Sequence, residues 1–251
     1  MVLMPRIRLI QLLSITLTSL LLIFCIVTGN KVAFGKTHKH FNAEEKKFLI
    51  QTFKKSGFNE EFLRSEDIKY KIYSDKELND KVSNCLINAG VVGWFQGRAE
   101  FGPRALGHRS IIADPTRNDA KEILNLKIKR REVFRPFAPS ILREYVSEYF
   151  EKVDNVPFME KVFQIKESKR ELLSAVTHVD GSGRLQTVDK NIEPKYYGLI
   201  HAFYQKSGVP ILLNTSFNEN EPIVNTPAEA YACFARTKMD MIVMGNIVVE
   251  K

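Results

Sequence analysis

Three arginines in the stretch GRAEFGPRALGHRS each stand close behind a glycine: Arg98 after Gly97, Arg104 after Gly102 and Arg109 after Gly107. Glycine enters backbone dihedrals closed to other residues and lets the chain approach a ligand closely. A guanidinium stays charged and presents a planar fork that matches two carboxylate or phosphate oxygens. The combination predicts a loop that grips an oxyanion. The plainer reading is a surface turn with solvated arginines. The loop is neither GxxxxGK[ST] nor GxGxxG, so the phosphate motifs with those signatures do not apply.

Two other stretches extend the pattern. In KIKRREVFRPFAPS, Lys127 and Lys129 fall late in a helical run, where the helix dipole favours positive charge anyway. Arg135 stands between Phe134 and Pro136, and a cation held in so apolar a stretch calls for an anionic partner, protein or ligand. LLNTSFN follows a buried-strand pattern and places Asn214, Thr215, Ser216 and Asn218 at the strand's carboxyl end, where ligand crevices open in α/β sheets. Capping the next turn is their alternative role. Between Arg98 and Arg143 there are eleven Lys or Arg against five Asp or Glu, so this window carries +6 of the chain's net +8. Such a local excess points to an anion site, with phosphates, nucleic acid or a membrane surface as candidate partners.

The remaining residues must position these groups. A chain of 251 residues, 44% hydrophobic and 26% charged, has room for one or two domains with a sizeable core, which excludes wholesale disorder. Cys25, Cys85 and Cys233 are widely spaced and indicate neither a disulfide framework nor a zinc site, and His38 and His40 read as a tail or linker pair. Helices are expected at 43–57, at 74–90 behind a Ser74 cap with Leu78, Val82 and Leu86 inward, at 118–132 behind Asn118, at 140–151, at 195–208, and at 227–237 with Pro227 in the first turn. Strands are expected at 91–95, 110–115, 174–180 and 185–189 around a 181–183 turn, 209–216 and 239–249. Alternating helices and strands predict an α/β or α+β domain with a twisted sheet and no internal boundary after about residue 42. Trp94, Phe95, Phe134 and Phe137 lie in apolar runs and read as core rather than base-stacking groups, which makes nucleic acid the weaker partner.

Residues 9–28 carry no charge and follow Arg6 and Arg8. Twenty helical residues span about 30 Å, enough for a bilayer core. The expectation is a single membrane helix, with a signal peptide or a buried core helix as alternatives.

Four blocks in order, GWFQGRAEFGPRALGHRSIIADP, KIKRREVFRPFAPS, VDGSGRLQTV and ILLNTSFNENEPIVNTPAEA, resemble the C-terminal domain of the NodU/CmcH carbamoyltransferase family over about residues 35–251. The resemblance implies a YrdC-like α/β fold, a twisted sheet with flanking helices, over 36–251, behind a hydrophobic helix and linker in 1–35. It implies that ATP, with Mg²⁺, and carbamoyl phosphate bind together and yield carbamoyl-adenylate and pyrophosphate. A separate N-terminal-type domain with a histidine-bound iron would then carbamoylate a hydroxyl. On the matched positions Arg104, Lys129, Arg135 and Arg184 are the implied catalytic cations, with Arg98 and Arg109 beside them on the substrate. Asn214, Ser216 and Asn218 would border the nucleotide. No Mg²⁺ ligand is assigned; Glu100 and Asp114 are nearby carboxylates, and Glu100 equally could orient an arginine.

Two departures qualify the resemblance. The chain has no room for the transferase domain and no HxxxH pair for its iron. NTSFNENEPIV also lacks the basic residue and glycine that some members carry before EPIV. The expectation is an activating half-enzyme that hands carbamoyl-adenylate to a separate transferase subunit. The alternatives are an RNA- or nucleotide-binding module of the same fold and an inactive remnant. ATP supply would place the catalytic domain in the cytoplasm, attached to a membrane through 9–28.

Overall fold

A computed structural model describes residues 68–132 and 134–251. Their elements in chain order are β1 (Lys71–Ile72), α1 (Asp75–Ile87), β2 (Val92–Phe95), β3 (Arg109–Ala113), α2 (Ala120–Ile123), β4 (Ala138–Leu142), α3 (Val146–Tyr149), β5 (Lys161–Gln164), α4 (Glu167–Arg170), β6 (Ser182–Val188), α5 (Pro194–Ser207), β7 (Ile211–Ser216), α6 (Pro227–Arg236), β8 (Met241–Met244) and β9 (Ile247–Glu250). The nine strands make one mixed sheet in the order β1-β9-β8-β2-β3-β7-β4-β6-β5. The pairs β2–β8 and β4–β6 are parallel and the others antiparallel. This is the mixed α/β architecture expected.

Strands β2, β3 and β4 are buried along their whole length, which is why VGWF, RSIIA and APSIL read as runs rather than as alternations. Helix α1 buries Leu78, Val82 and Leu86 from one face, and its Ser74 cap closes a reciprocal box with Glu77. Helix α5 buries Tyr196, Leu199, Ile200 and Phe203. The ammonium of Lys206 on α5 joins the two helices by donating to Asp80 Oδ1 at 2.6 Å and Asn84 Oδ1 at 2.7 Å. A second box, Thr226 with Glu229, starts α6 with Pro227 in its first turn.

Four local expectations change. Residues 140–151 open as strand β4, because Ala138–Leu142 is buried throughout, and only Val146–Tyr149 is α-helical. The segment 174–180 forms turns, and strand β6 starts within GSG rather than after it. There Asp180 Oδ1 accepts from the Ser182 amide at 3.0 Å and its hydroxyl at 2.6 Å, and Gly181 takes a φ of +80°, a local side-chain turn that ends the irregular segment. Residues 239–249 fold as the hairpin β8–β9, bent at Gly245 with φ +66°. Asn118 does not cap α2; Asp119 precedes that helix, and the Asn118 side chain instead accepts from Ser174 Oγ at 2.7 Å.

Membrane attachment is corrected. Among the described residues no helix is long and apolar enough to cross a membrane. The longest, α5, has 14 residues and covers about 21 Å, short of the roughly 30 Å a bilayer core requires. The segment 9–28, the helix at 43–57, Cys25, His38 and His40 lie outside the described residues.

Candidate functional site

The loop from β2 to β3 contains the glycine-rich stretch, and Glu100 organises it. One oxygen of its carboxylate accepts from the amides of Leu106 at 2.6 Å, His108 at 2.8 Å and Arg109 at 3.2 Å. Gly107, at φ +106°, lies against Tyr196, and a Cβ there would stand 2.4 Å from the ring. This glycine therefore serves close packing between protein elements. Arg109 also turns inward: its guanidinium donates to the carbonyls of Gln96 at 2.6 Å and Gly97 at 3.0 Å and lies 3.6 Å from the centre of the Phe95 ring. Burial pushes its pKa down to about 10, against the pull of Glu100.

His108 pins the same loop to the start of α5. Its Nδ1 lies 2.7 Å from the Arg98 carbonyl and its Nε2 2.8 Å from Glu193 Oε2. Both partners accept, so the doubly protonated ring fits best. Burial pushes the histidine down, but Glu193, Glu100 and the Arg98 carbonyl together raise it above its ordinary value. A raised folded pKa adds stability that is complete below the unfolded value and disappears as pH rises through the folded one. The expected result is that wild-type urea midpoints fall more steeply than those of His108→Gln between about pH 6 and pH 8; parallel profiles would contradict this.

The floor beneath the loop is a polar network carried by three neighbouring strands. Asn214 of β7 donates to the Ala105 carbonyl at 3.0 Å, Ser140 Oγ of β4 at 3.1 Å and Gln186 Oε1 of β6 at 3.0 Å. Gln186 in turn donates to the Leu106 carbonyl at 2.8 Å. Asn214 is 1% exposed, so these bonds fix the loop onto the sheet.

Over this floor opens a cavity of about 300 Å³, lined by Arg104, Arg131, Arg135, Arg184, His178, Asn214, Thr215 and Ser216 with Pro103, Ala105, Pro136, Phe137, Ala138 and Met159. Four arginines are among its lining residues and no aspartate or glutamate is. Desolvation and the nearby Arg184 both lower the pKa of Arg104. Arg131 is lowered by burial and by Arg135; it donates to Asn125 Oδ1 at 2.8 Å and stacks 5.0 Å from the Phe137 ring centre. Arg135 forms an ion pair with Glu132 at 2.9 Å, with both side chains about half exposed.

Lys129 is close to the cavity but does not line it. It is 2% exposed, and its ammonium donates to the carbonyls of Ser216 at 2.5 Å and Asn218 at 2.7 Å, and to Asn218 Oδ1 at 2.7 Å. Burial, helped by repulsion from Arg131, pushes it down to about 7. Asn218 also stays behind the wall, donating to the Glu221 carbonyl at 2.7 Å.

Of the residues singled out from sequence, the structure thus gathers Arg104, Arg135, Arg184, Asn214, Thr215 and Ser216 around one cavity. It places Lys129, Asn218, Arg98 and Arg109 outside that lining. Arg131 and His178 line the cavity but were not singled out. Arg131 belongs to the KRR run, and His178 immediately precedes the VDGSGR block. Phe134 is 73% exposed, whereas Trp94, Phe95 and Phe137 are buried as expected. Phe134 follows the tight bend at Arg130, where φ is +44°, and comes before the chain enters the core at Phe137 and β4.

Residues 83–251 match the family model described as Carbamoyltransferase C-terminus. The chain belongs to the carbamoyltransferase C-terminus family. It is 50% identical over 179 residues to nodulation protein NolNO of Sinorhizobium fredii, covering 70% of this chain and 26% of that protein. It is 40% identical over 167 residues to the 3'-hydroxymethylcephem-O-carbamoyltransferase of Amycolatopsis lactamdurans, covering 66% of this chain and 32% of that one. Full-length HypF in its phosphate- and nucleotide-bound form is similar at a TM-score of 0.46 and 16% identity, over 72% of this chain and 22% of HypF. The chain therefore spans about a quarter to a third of the curated relatives it matches.

Proposed function

We propose that this domain binds ATP and carbamoyl phosphate in the arginine-lined cavity and, with consumption of water, forms carbamoyl-adenylate with release of phosphate and pyrophosphate, on a YrdC-like fold. A separate transferase domain would then pass the carbamoyl group to a hydroxyl. The observation that carries this reading is the lining: four arginines and no acidic residue around about 300 Å³. That volume lies at the low end of small-molecule sites. Membership of the carbamoyltransferase family supports the carbamoyl chemistry, and a relative named as an O-carbamoyltransferase supports a hydroxyl acceptor.

In this reaction water first cleaves carbamoyl phosphate to carbamate and inorganic phosphate. A carbamate oxygen then attacks the α-phosphorus of ATP, the bond from that phosphorus to the bridging oxygen breaks, and pyrophosphate leaves with the electron pair. Charge accumulates on phosphoryl oxygens, so fixed cations lower the barrier without a side-chain nucleophile. Arg104, Arg135 and Arg184 would meet those oxygens directly, with Arg131 beside them, while Asn214 and Ser216 would border the nucleotide. Lys129 would act through the Ser216–Asn218 turn that its ammonium holds. The roles of Arg98 and Arg109 in this reading are to build the loop that carries Arg104.

The lining does not fit a Mg²⁺ held by protein, since Mg²⁺ sites use carboxylates together with substrate phosphates and this cavity presents no carboxylate. Glu100 and Asp114 are otherwise engaged, Glu100 with loop amides and Asp114 Oδ1 with the Thr116 amide and hydroxyl at 2.8 and 2.7 Å. The full chain should give a calorimetric binding signal with ATP and with carbamoyl phosphate, each weakened by salt. Absence of binding by both would end this reading.

A further inference from the structure

Among the groups lining the cavity His178 differs from the arginines in kind, because it can give up or take a proton near neutrality. It sits in the turn before β6, and its Nδ1 lies 3.0 Å from Ser182 Oγ. The hydroxyl of Ser182 donates to Asp180 Oδ1 at 2.6 Å, and the hydrogen bonds from Ser182 hold the Asp180 carboxyl below its ordinary range, hence ionised. An ionised carboxylate only accepts. The single hydrogen of Ser182 is therefore used on Asp180, and Ser182 Oγ must accept from His178. This chain fixes the neutral tautomer as Nδ1–H and leaves a lone pair on Nε2, for which no protein donor is found among the described residues.

We propose that His178 is the proton acceptor of the cavity: neutral, its Nε2 takes the hydrogen bond of a ligand N–H or O–H; protonated, it becomes a fifth cation. Resting on the anion-binding reading above, this assigns the site to oxyanions that carry a donor of their own, such as the amide of a carbamoyl group. Guanidiniums cannot accept, so they leave such a donor unmatched. The turn is itself held in place, since the His178 amide donates to the Ser182 carbonyl at 2.8 Å and the Gly181 amide to the His178 carbonyl at 3.0 Å.

The charged groups acting on His178 are Asp180 in its own turn, Arg184 on β6 and Lys121 on α2. Arg104, Arg131 and Arg135 share the cavity. Burial comes first and, with Arg184 and Lys121, outweighs Asp180, so the ring is held below its ordinary value. A bound dianion reverses that balance and raises it.

Sulfate is the appropriate probe, because it has no donor and does not titrate between pH 5 and 8. In the full chain, sulfate should bind about tenfold more tightly at pH 5 than at pH 8, relative to the same ratio for His178→Gln, if the anion raises the ring by about one unit. The comparison removes the contributions of Lys129 and His108, which both proteins share. The His178 ring resonance of the wild-type protein should titrate about one unit higher in saturating sulfate. Equal pH profiles for the two proteins, or a His178 titration that sulfate leaves unmoved, would overturn the assignment while the anion site stands. Failure of sulfate to bind either protein at any pH would remove the anion site and this assignment with it.

Discussion

Arg184→Ala should lower carbamoyl-phosphate-dependent pyrophosphate release from ATP by about 10²- to 10³-fold, the range found when one preorganised donor to a developing oxyanion is removed. The same substitution should leave the fold as stable as before or slightly more so. Arg184 projects from β6 into a cavity that already holds Arg104, Arg131 and Arg135, and Arg104 feels its charge as repulsion. Among the described residues neither Arg104 nor Arg184 has a carboxylate within ion-pair distance. In the free protein the two cations therefore oppose each other, and only an anion makes their proximity favourable. Thermal unfolding and pyrophosphate release measured on one preparation separate the two effects. A variant that loses stability but retains release would make Arg184 structural.

Lys129→Met should have the opposite signature, a large loss of stability. The ammonium satisfies the carbonyls of Ser216 and Asn218 and the side-chain oxygen of Asn218 from a position that is 2% exposed. Methionine fills the volume but donates nothing. The Asn218 carbonyl loses its donor, at about 1–3 kcal/mol, while the Ser216 carbonyl and Asn218 Oδ1 lose a charge-assisted bond but keep the Asn218 amide at 3.1 Å and the Ser216 hydroxyl at 2.7 Å. Relaxation of the turn recovers part of this, so a net loss of about 3 kcal/mol is expected. For a domain of this size that lowers Tm by about 6–12 °C. Release should fall as well, because the turn carries Ser216 into the cavity wall. A Tm within about 1 °C of wild type would show that the turn stands without the lysine.

These two residues also show how much the sequence could convey. Arg104, Lys129, Arg135 and Arg184 were grouped by charge and by resemblance to a family, and neither criterion carries direction. Direction comes from burial and acceptors in three dimensions. Lys129 faces two carbonyls brought from 87 and 89 residues away, a distance no local pattern encodes. The same limit applies to Arg109, whose position beside a glycine suggested a ligand but whose guanidinium is taken up by the carbonyls of Gln96 and Gly97. Gly107 was legible as a special position, yet the close neighbour proved to be Tyr196 from α5.

Where the physics is local, the sequence was sufficient. The Ser74 box, the Pro227 start and the four-residue spacing of Leu78, Val82 and Leu86 all depend on residues within one or two turns. The apolar runs at β2 and β7 identified buried strands because both faces are covered. At β4 the same kind of run reads equally as helix, since a short apolar stretch carries no period of its own. His178 remained invisible because its interest arises from a relay through Ser182 to Asp180, and such a relay exists only once the turn has formed.

The arginine cavity, on the function proposed, activates a carbamoyl group with ATP. The most direct test is to measure pyrophosphate release by the full chain with ATP alone, carbamoyl phosphate alone and both together, beside Arg104→Ala. Release that requires both substrates and collapses in the variant is the predicted result. Folded protein that binds neither substrate, or that releases no pyrophosphate with both present, would contradict the account.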